Sequence, residues 1–407
     1  MTRKSLLPSI LTVAIQFFLL PGSVHAGGAS PGKSDDAAGG SGPGNSENAG
    51  IGADETAGIH ARPPLWTVGP MRFQPMWAAS PTGYSPAQIR HAYGFDQITG
   101  SGTGQTIAIV DAYGSPTLAS DLAVFCNTFG LPQATLNIYY PQGTPASDSG
   151  WALETSLDVQ WAHAIAPGAK IAVVVAKSSS LSDLLSAVDY AVNTVGAKQV
   201  SMSWGAGEFR SETRNDSHFN KTGVAFFAAS GDNGSGVLWP GASPYVVSVG
   251  GTTLNLDNTG IVTSETAWSG SGGGVSVYES KPSYQTGWQS TSKRTVPDVA
   301  YNADPYTGYP VYISNYNGSS GWITVGGTSA GAPQWAAQQA LVNASRSTSL
   351  GNVVAAIYSV AGVAYAADFF DITSGSNGGY SAKTGYDYVT GLGSTNSPNL
   401  IPALIKK

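Results

Sequence analysis

The sequence contains one cysteine, Cys126, in 407 residues, which excludes an internal disulfide and leaves stability to packing and to bound ions. Charge is also scarce. Asp, Glu, Lys and Arg make up 11% of the chain, against roughly 25% in ordinary soluble proteins. Few ion pairs are therefore present to be lost on acidification. A formal net charge of −6 excludes the basic footprint expected for nucleic acid or for an anionic membrane surface. Long apolar runs are nearly absent too. The one example, Leu6 to Leu20, contains Pro8 and Gln16, falls short of the roughly 20 residues needed to span a bilayer, and lies between Met1-Thr-Arg-Lys4 and "PGSVHA". This reads as a secretory signal ending after Ala26, so residues 1–26 are expected to leave a secreted protein, extracellular or periplasmic, without stable membrane association.

Glycine, by contrast, is abundant, with 52 copies. From Gly27 to about Gly58 it combines with Ser, Ala, Asn and Asp in a composition that cannot bury enough apolar surface to offset ordering entropy. Residues 27–70 are read as a disordered tail or short propeptide, and 71–407 as one folded domain. Within that domain "QTIAIVDAYG" (105–114), "KIAVVVA" (170–176), "KQVSMSWG" (198–205) and "VAFFAASG" (224–231) read as buried strands. Helical patterns separate them at Trp151 to Ile165, 181–195 and Glu208 to Asn220. Continuous apolar strands alternating with helices predict an α/β fold, a mostly parallel sheet covered on both faces. Ligand sites in such sheets lie beyond the carboxyl ends of the strands. The pieces "GSGTGQT" and "SGSGGG" lack the order and the Lys-Ser/Thr ending of phosphate loops and read as turns.

Chemistry concentrates in three places. "GGTSAGAP" (326–333) holds Ser329 ahead of an apolar helix, in a setting that looks like the nucleophile of a subtilisin-type serine peptidase. A serine hydroxyl needs a base, and the five histidines offer none in a suitable context. His25 leaves with the signal, while His60, His91 and His218 lie in the tail or among polar helix residues. His163, near a helix end, is read as structural. The helix that carries it offers "ETSLD" instead, with Glu154 and Asp158 four residues apart on one face among Trp151, Leu153, Leu157 and Trp161. Such a pair is expected to share a proton. In "AASGDNGSG", Asp232 follows a buried strand between two glycines, where an Asx turn is the plain alternative.

Taken together and in this order, "ETSLD", "SGDNG" and "GGTSAGAP" resemble the sedolisins, serine-carboxyl peptidases with a subtilisin-like fold. "TGQTIAIVDAYG", "VSMSWG", "VGGTTL", "VPDVA" and "FFDITSGSNGG...TGYDYVTGLG" extend the likeness from about residue 80 to the C-terminus. The resemblance implies an acid-active, secreted endopeptidase or tripeptidyl-peptidase acting on polypeptides, with Glu154 as general base for Ser329, Asp158 supporting Glu154, and Asp232 stabilising the oxyanion. It also suggests that Asp111 and Trp204 extend the hydrogen-bond network around the glutamate, although loop capping and core packing would explain the same two residues. One structural calcium ion is implied as well, held by the side chains of Asp371 and Asp387 and the carbonyls of Ile372, Lys383 and Gly385. A monomer is expected. Two other readings stay open: a carboxylate-based glycosidase using two of Glu154, Asp158 and Asp232, and a non-catalytic binding protein on a peptidase scaffold.

Overall fold

A computed structural model describes residues 55–63, 66–67 and 78–407. The expected signal and most of the expected tail lie outside these residues. Eight strands form the central sheet: β1 (Thr106–Ala112), β2 (Thr135–Tyr139), β3 (Lys170–Ala176), β4 (Gln199–Met202), β5 (Ala225–Ala229), β6 (Val246–Leu256), β7 (Val262–Ala267) and β8 (Val299–Asn302). Their order across the sheet is β7-β6-β5-β4-β1-β3-β2, with β8 also paired to β6. All pairings are parallel except β7 with β6.

Successive side chains of a strand point to opposite faces, and β1 and β3 show what this does here. Ile107, Ile109, Ile171, Val173 and Val175 enter one hydrophobic core, and Ala108, Val110, Val174 and Ala176 enter another. The first core is roofed by the helices α1 (Pro86–Ala92), α2 (Leu118–Phe129) and α3 (Ser149–Ile165) and, further along the chain, α5 (Gly331–Ala344) and α6 (Val353–Asp368). The second is covered by α4 (Leu181–Asn193), whose Leu181, Leu184, Leu185 and Val188 face the sheet. Residues on both faces are excluded from water, which is why these strands lack polar alternation.

Helix α3 begins at Asp148, whose side chain accepts the Trp151 N–H at 2.9 Å. Every residue from Trp151 to Ile165 is buried, so the helix has no solvent face. A hairpin of β9 (Tyr309–Tyr316) and β10 (Ser319–Gly326) fixes its outer side. Gln160 exchanges two hydrogen bonds with the Tyr312 backbone, at 2.8 and 3.0 Å, and the Trp161 indole donates to the Pro310 carbonyl at 3.1 Å.

One sequence expectation changes. The predicted helix over 208–220 is only one α-turn, Glu212–Asn215, followed by a 3-10 turn, Asp216–His218. The segment has no apolar stripe, and its acids are drawn elsewhere. Glu212 folds back onto the Phe209 N–H at 2.7 Å, and Glu208 accepts the Ser276 hydroxyl and the Val277 N–H. Within the 27–70 stretch, read as a disordered tail or short propeptide, residues 55–63 and 66–67 are described and lie against the body. A 3-10 turn at Glu55–Gly58 leads to backbone pairings of His60 with Ser180 and Arg62 with Gly205, and Trp66–Thr67 pairs antiparallel with β10.

Candidate active site

Ser329 lies in the tight turn Thr328–Ala330 that links β10 to α5. Gly327, before it, has φ +127°, a conformation side chains rarely adopt, and its N–H reaches the Ala303 carbonyl at 2.6 Å. At Gly331 an added Cβ would stand 2.7 Å from the Val249 side chain, so glycine lets α5 start hard against β6. The turn is thereby seated beyond the carboxyl ends of the strands, with Ser329 fully buried.

Three carboxyl groups gather beneath it. Glu154 and Asp158 project from α3, and Asp111 follows Ile107 and Ile109 on the face of β1 that α3 covers. All three are fully buried. Burial raises the Glu154 pKa well above the usual carboxylate range, and the charges of Asp158 and Asp111 raise it further. Contact with the Ser329 hydroxyl works the other way, favouring ionised Glu154. Asp158 is likewise pushed well up by burial and then by Asp111, while the hydroxyl of Ser203 beside it favours its charge. Burial lifts Asp111 to about 7, with Thr155 alongside. None of the six carboxyl oxygens has a fully formed hydrogen bond. The groups are neighbours whose contacts are too long or oblique to count as formed bonds.

Asp232 approaches from the other side, at the end of β5. Gly231 before it has φ +117° and no room for a side chain against Leu238. One carboxyl oxygen accepts the Thr328 N–H at 2.8 Å and the Thr328 hydroxyl at 2.7 Å; the other has no partner. Burial raises its pKa to about 7 despite the two bonds from Thr328. The structure therefore brings Glu154, Asp158, Asp232, Ser329 and Asp111 together. Trp204, next to Ser203, is fully buried and donates its N–H to the Val110 carbonyl at 2.8 Å. His163 bonds the Pro132 carbonyl at 2.7 Å and stays in the core.

Two contributors escaped sequence reasoning although both lie inside quoted motifs. Thr328 holds Asp232, and Ser203 donates its hydroxyl to the Ser329 carbonyl at 3.2 Å, tying the loop after β4 to the turn. Hydroxyls are too common in this chain for their spacing to mark them.

The other expected site lies in the C-terminal loop. Asp371 accepts the Gly385 N–H on both oxygens, at 3.2 and 3.0 Å, and Asp387 accepts the Lys383 N–H at 3.1 Å. Among the described residues no group of three or more Asp, Glu, His or Cys side chains could hold a metal. An ion here would therefore depend on carbonyl oxygens for most of its shell. Nor, among the described residues, is any helix long and apolar enough to cross a membrane.

Residues 142–385 match the subtilase family of peptidases. The chain is 35% identical to kumamolisin from Bacillus sp. (strain MN-32) over 373 residues, covering 81% of this chain and 65% of kumamolisin. It is 30% identical to sedolisin from Pseudomonas sp. (strain 101), covering 79% of this chain and 61% of that protein. Identity with tripeptidyl-peptidase 1 of Canis lupus familiaris is 29%, over 87% of this chain and 70% of that one. The chain thus spans slightly less than two thirds of kumamolisin and of sedolisin. A solved Pseudomonas sedolisin, a serine-carboxyl proteinase complexed with two molecules of pseudo-iodotyrostatin, matches with a TM-score of 0.73 at 29% identity, covering 81% of this chain and 99% of that one. With its parallel sheet, its family match and these relatives, the chain belongs to the sedolisin family of subtilisin-like serine peptidases.

Proposed function

We propose that the protein is a secreted serine-carboxyl peptidase that hydrolyses polypeptides in acid. The observation that carries this reading is the placement of a buried glutamate, in contact with a second acid, beside the hydroxyl of Ser329. Glu154 takes the serine proton as Oγ attacks the peptide carbonyl. Asp158 and Asp111 set the charge around Glu154, and the unpartnered oxygen of Asp232, protonated, donates to the developing oxyanion. Glu154 then delivers the proton to the leaving amine, and water hydrolyses the acyl-enzyme. Asp232 must be neutral while Glu154 is ionised, and the serine contact is the one interaction on Glu154 that favours that difference.

The same reading includes one structural calcium ion in the C-terminal loop, where Asp371 and Asp387 accept the N–H groups of Gly385 and Lys383; the two carboxylates and the carbonyls of Ile372, Lys383 and Gly385 would hold it. Bound there, the ion would supply positive charge that ties the loop together. Residues 1–26 as signal, 71–407 as the peptidase domain and a monomeric state belong to the same reading.

The test is incubation of a denatured polypeptide with the protein and with Ser329→Ala at about pH 4 and about pH 7, on either side of the range where these acids titrate. Fragments are identified by mass spectrometry. Cleavage at the lower pH that is lost in Ser329→Ala is expected. Cleavage that survives in the variant rejects the serine mechanism, and none by either protein favours the binding-protein reading.

A further inference from the structure

The Thr328 hydroxyl stands among three groups. It has one proton to give and two acceptors in reach, Asp232 Oδ1 at 2.7 Å and the Gly231 carbonyl at 3.2 Å. The shorter contact takes the proton. The Gly231 N–H arrives at 3.1 Å and uses the hydroxyl oxygen as an acceptor, which steadies that hydroxyl as a donor to Asp232. The Thr328 methyl is fixed as well, because a Cβ on Gly251 would lie 3.3 Å from it. Asp232 Oδ1 also receives the Thr328 N–H at 2.8 Å, and a backbone N–H can act only as a donor. Oδ2 is buried without a partner.

A neutral carboxylic acid has one carbonyl oxygen, which accepts, and one hydroxyl, which donates. Two donors aimed at Oδ1 make it the carbonyl oxygen and leave the proton to Oδ2. Hydrogen bonds in a chain polarise one another, so donors on the carbonyl oxygen also make the O–H of the acid a stronger donor. We infer that Thr328 is the positioning residue of the oxyanion donor: it keeps the proton of neutral Asp232 on Oδ2 and strengthens that O–H for the oxyanion. The inference rests on the reading of Asp232 as the oxyanion donor. It adds the atom that carries the proton and the residue that puts it there.

The same contacts give this role a signature in pH. Burial raises the Asp232 pKa to about 7, and the Thr328 N–H and hydroxyl are the contacts that oppose burial, since both favour the ionised form. The other titratable groups gathered at Ser329, namely Glu154, Asp158 and Asp111, come from α3 and β1. Taking the Thr328 hydroxyl away therefore weakens the acid as a donor and raises its pKa together. The neutral acid persists to higher pH, yet each molecule turns over more slowly. Loosening of the site does the opposite to the pKa, because water that reaches Asp232 relieves burial and lowers it.

The experiment measures kcat and KM against pH for the full chain, with a quenched-fluorescent peptide that spans a bond cut in the denatured polypeptide. Wild type is compared with Thr328→Val, Thr328→Ser, Asp232→Asn and the double change Thr328→Val with Asp232→Asn. Thr328→Val keeps the shape and loses the hydroxyl. Its kcat is expected to be roughly tenfold lower with KM little changed, and its upper pH limb about one unit higher, as loss of a hydrogen bond to a charged group implies. Thr328→Ser keeps the hydroxyl, loses only the methyl, and restores both values. In Asp232→Asn the donor is a permanent N–H, so adding Thr328→Val costs much less and finds no limb to move. A Thr328→Val enzyme with the wild-type limb, or with a limb at lower pH, overturns the inference. So does a Thr328→Ser enzyme as impaired as Thr328→Val, which would make packing the role. Where Asp232→Asn removes the limb and Thr328→Val changes nothing, the inference alone falls. Where the limb survives in Asp232→Asn, the reading of Asp232 falls with it.

Discussion

Asp232 accepts both the backbone N–H and the hydroxyl of Thr328 on one oxygen, at 2.8 and 2.7 Å, which leaves its second oxygen without a partner beside the residue that precedes Ser329. Its pKa stands at about 7 because it is buried. Only the protonated form donates, so kcat is expected to fall as pH rises through about 7. Asp232→Ala should lower kcat by about 10²–10³-fold. Asp232→Asn keeps an N–H donor at every pH and should remove that limb of the pH–kcat profile. A limb that persists in the Asn variant assigns it to another group.

Glu154→Gln leaves the shape of the site but removes the proton acceptor. A kcat about 10²–10⁴-fold lower, with KM little changed, is expected. The charges of Asp158 and Asp111 raise the Glu154 pKa, so Asp158→Asn and Asp111→Asn should each move the acid limb of kcat/KM to lower pH. Limbs that stay in place would reduce both acids to packing.

A second acidic group lies away from the serine, where Glu208, Glu212 and Asp216 meet Glu279. Glu212 is raised to about 9, chiefly by burial and then by Glu208 and Glu279. Glu279 is raised to about 8 by burial, Asp216 and Glu208, against Arg294 and Lys293. Asp216 is raised to about 6, again mainly by burial. In an unfolded chain these acids titrate near pH 4. Their raised folded values mean that the stability they contribute is complete below about pH 4 and is lost as pH climbs through 6 to 9. Tm should fall over that window, and the double change Glu212→Gln with Glu279→Gln should flatten the fall. An unaltered slope would place the pH sensitivity elsewhere.

Arg294 and Asp298 form a fully buried two-pronged ion pair, with both N···O distances 2.6 Å, and the Tyr358 hydroxyl adds a bond to Asp298 at 2.8 Å. Asp298→Ala strands the guanidinium in the core and should destabilise by about 3–5 kcal/mol in urea unfolding. A loss below about 1 kcal/mol, the range of exposed pairs, would contradict this burial.

In the C-terminal loop, a chelator is expected to lower the Tm of calcium-loaded protein, and Asp371→Asn should abolish the difference. Equal Tm values with and without chelator in the wild type would leave the loop metal-free.

Four of the eight central strands were legible to within three residues at either end, because continuous apolar runs such as "KIAVVVA" have few other places to go. The site was legible where acids sat among bulk on one helix, as at Glu154 and Asp158. Three features were not. The 208–220 segment has Glu208 drawn to Ser276 and Val277, distant partners that no local pattern reveals. The indole of Trp204 needed some acceptor, and only the fold shows that it is Val110. Residues 59–62 and 66–67 are held through backbone bonds to Ser179, Leu181, Gly205 and β10, and backbone pairing leaves little trace in side-chain pattern.

Helix α3 has no face toward solvent from Trp151 to Ile165, so the amides around Glu154 and Asp158 have no local route to water. Their hydrogen exchange should require opening of the whole domain. Catalytic competence and global integrity then vanish in one step on heating, and residual activity in a stressed sample counts intact molecules.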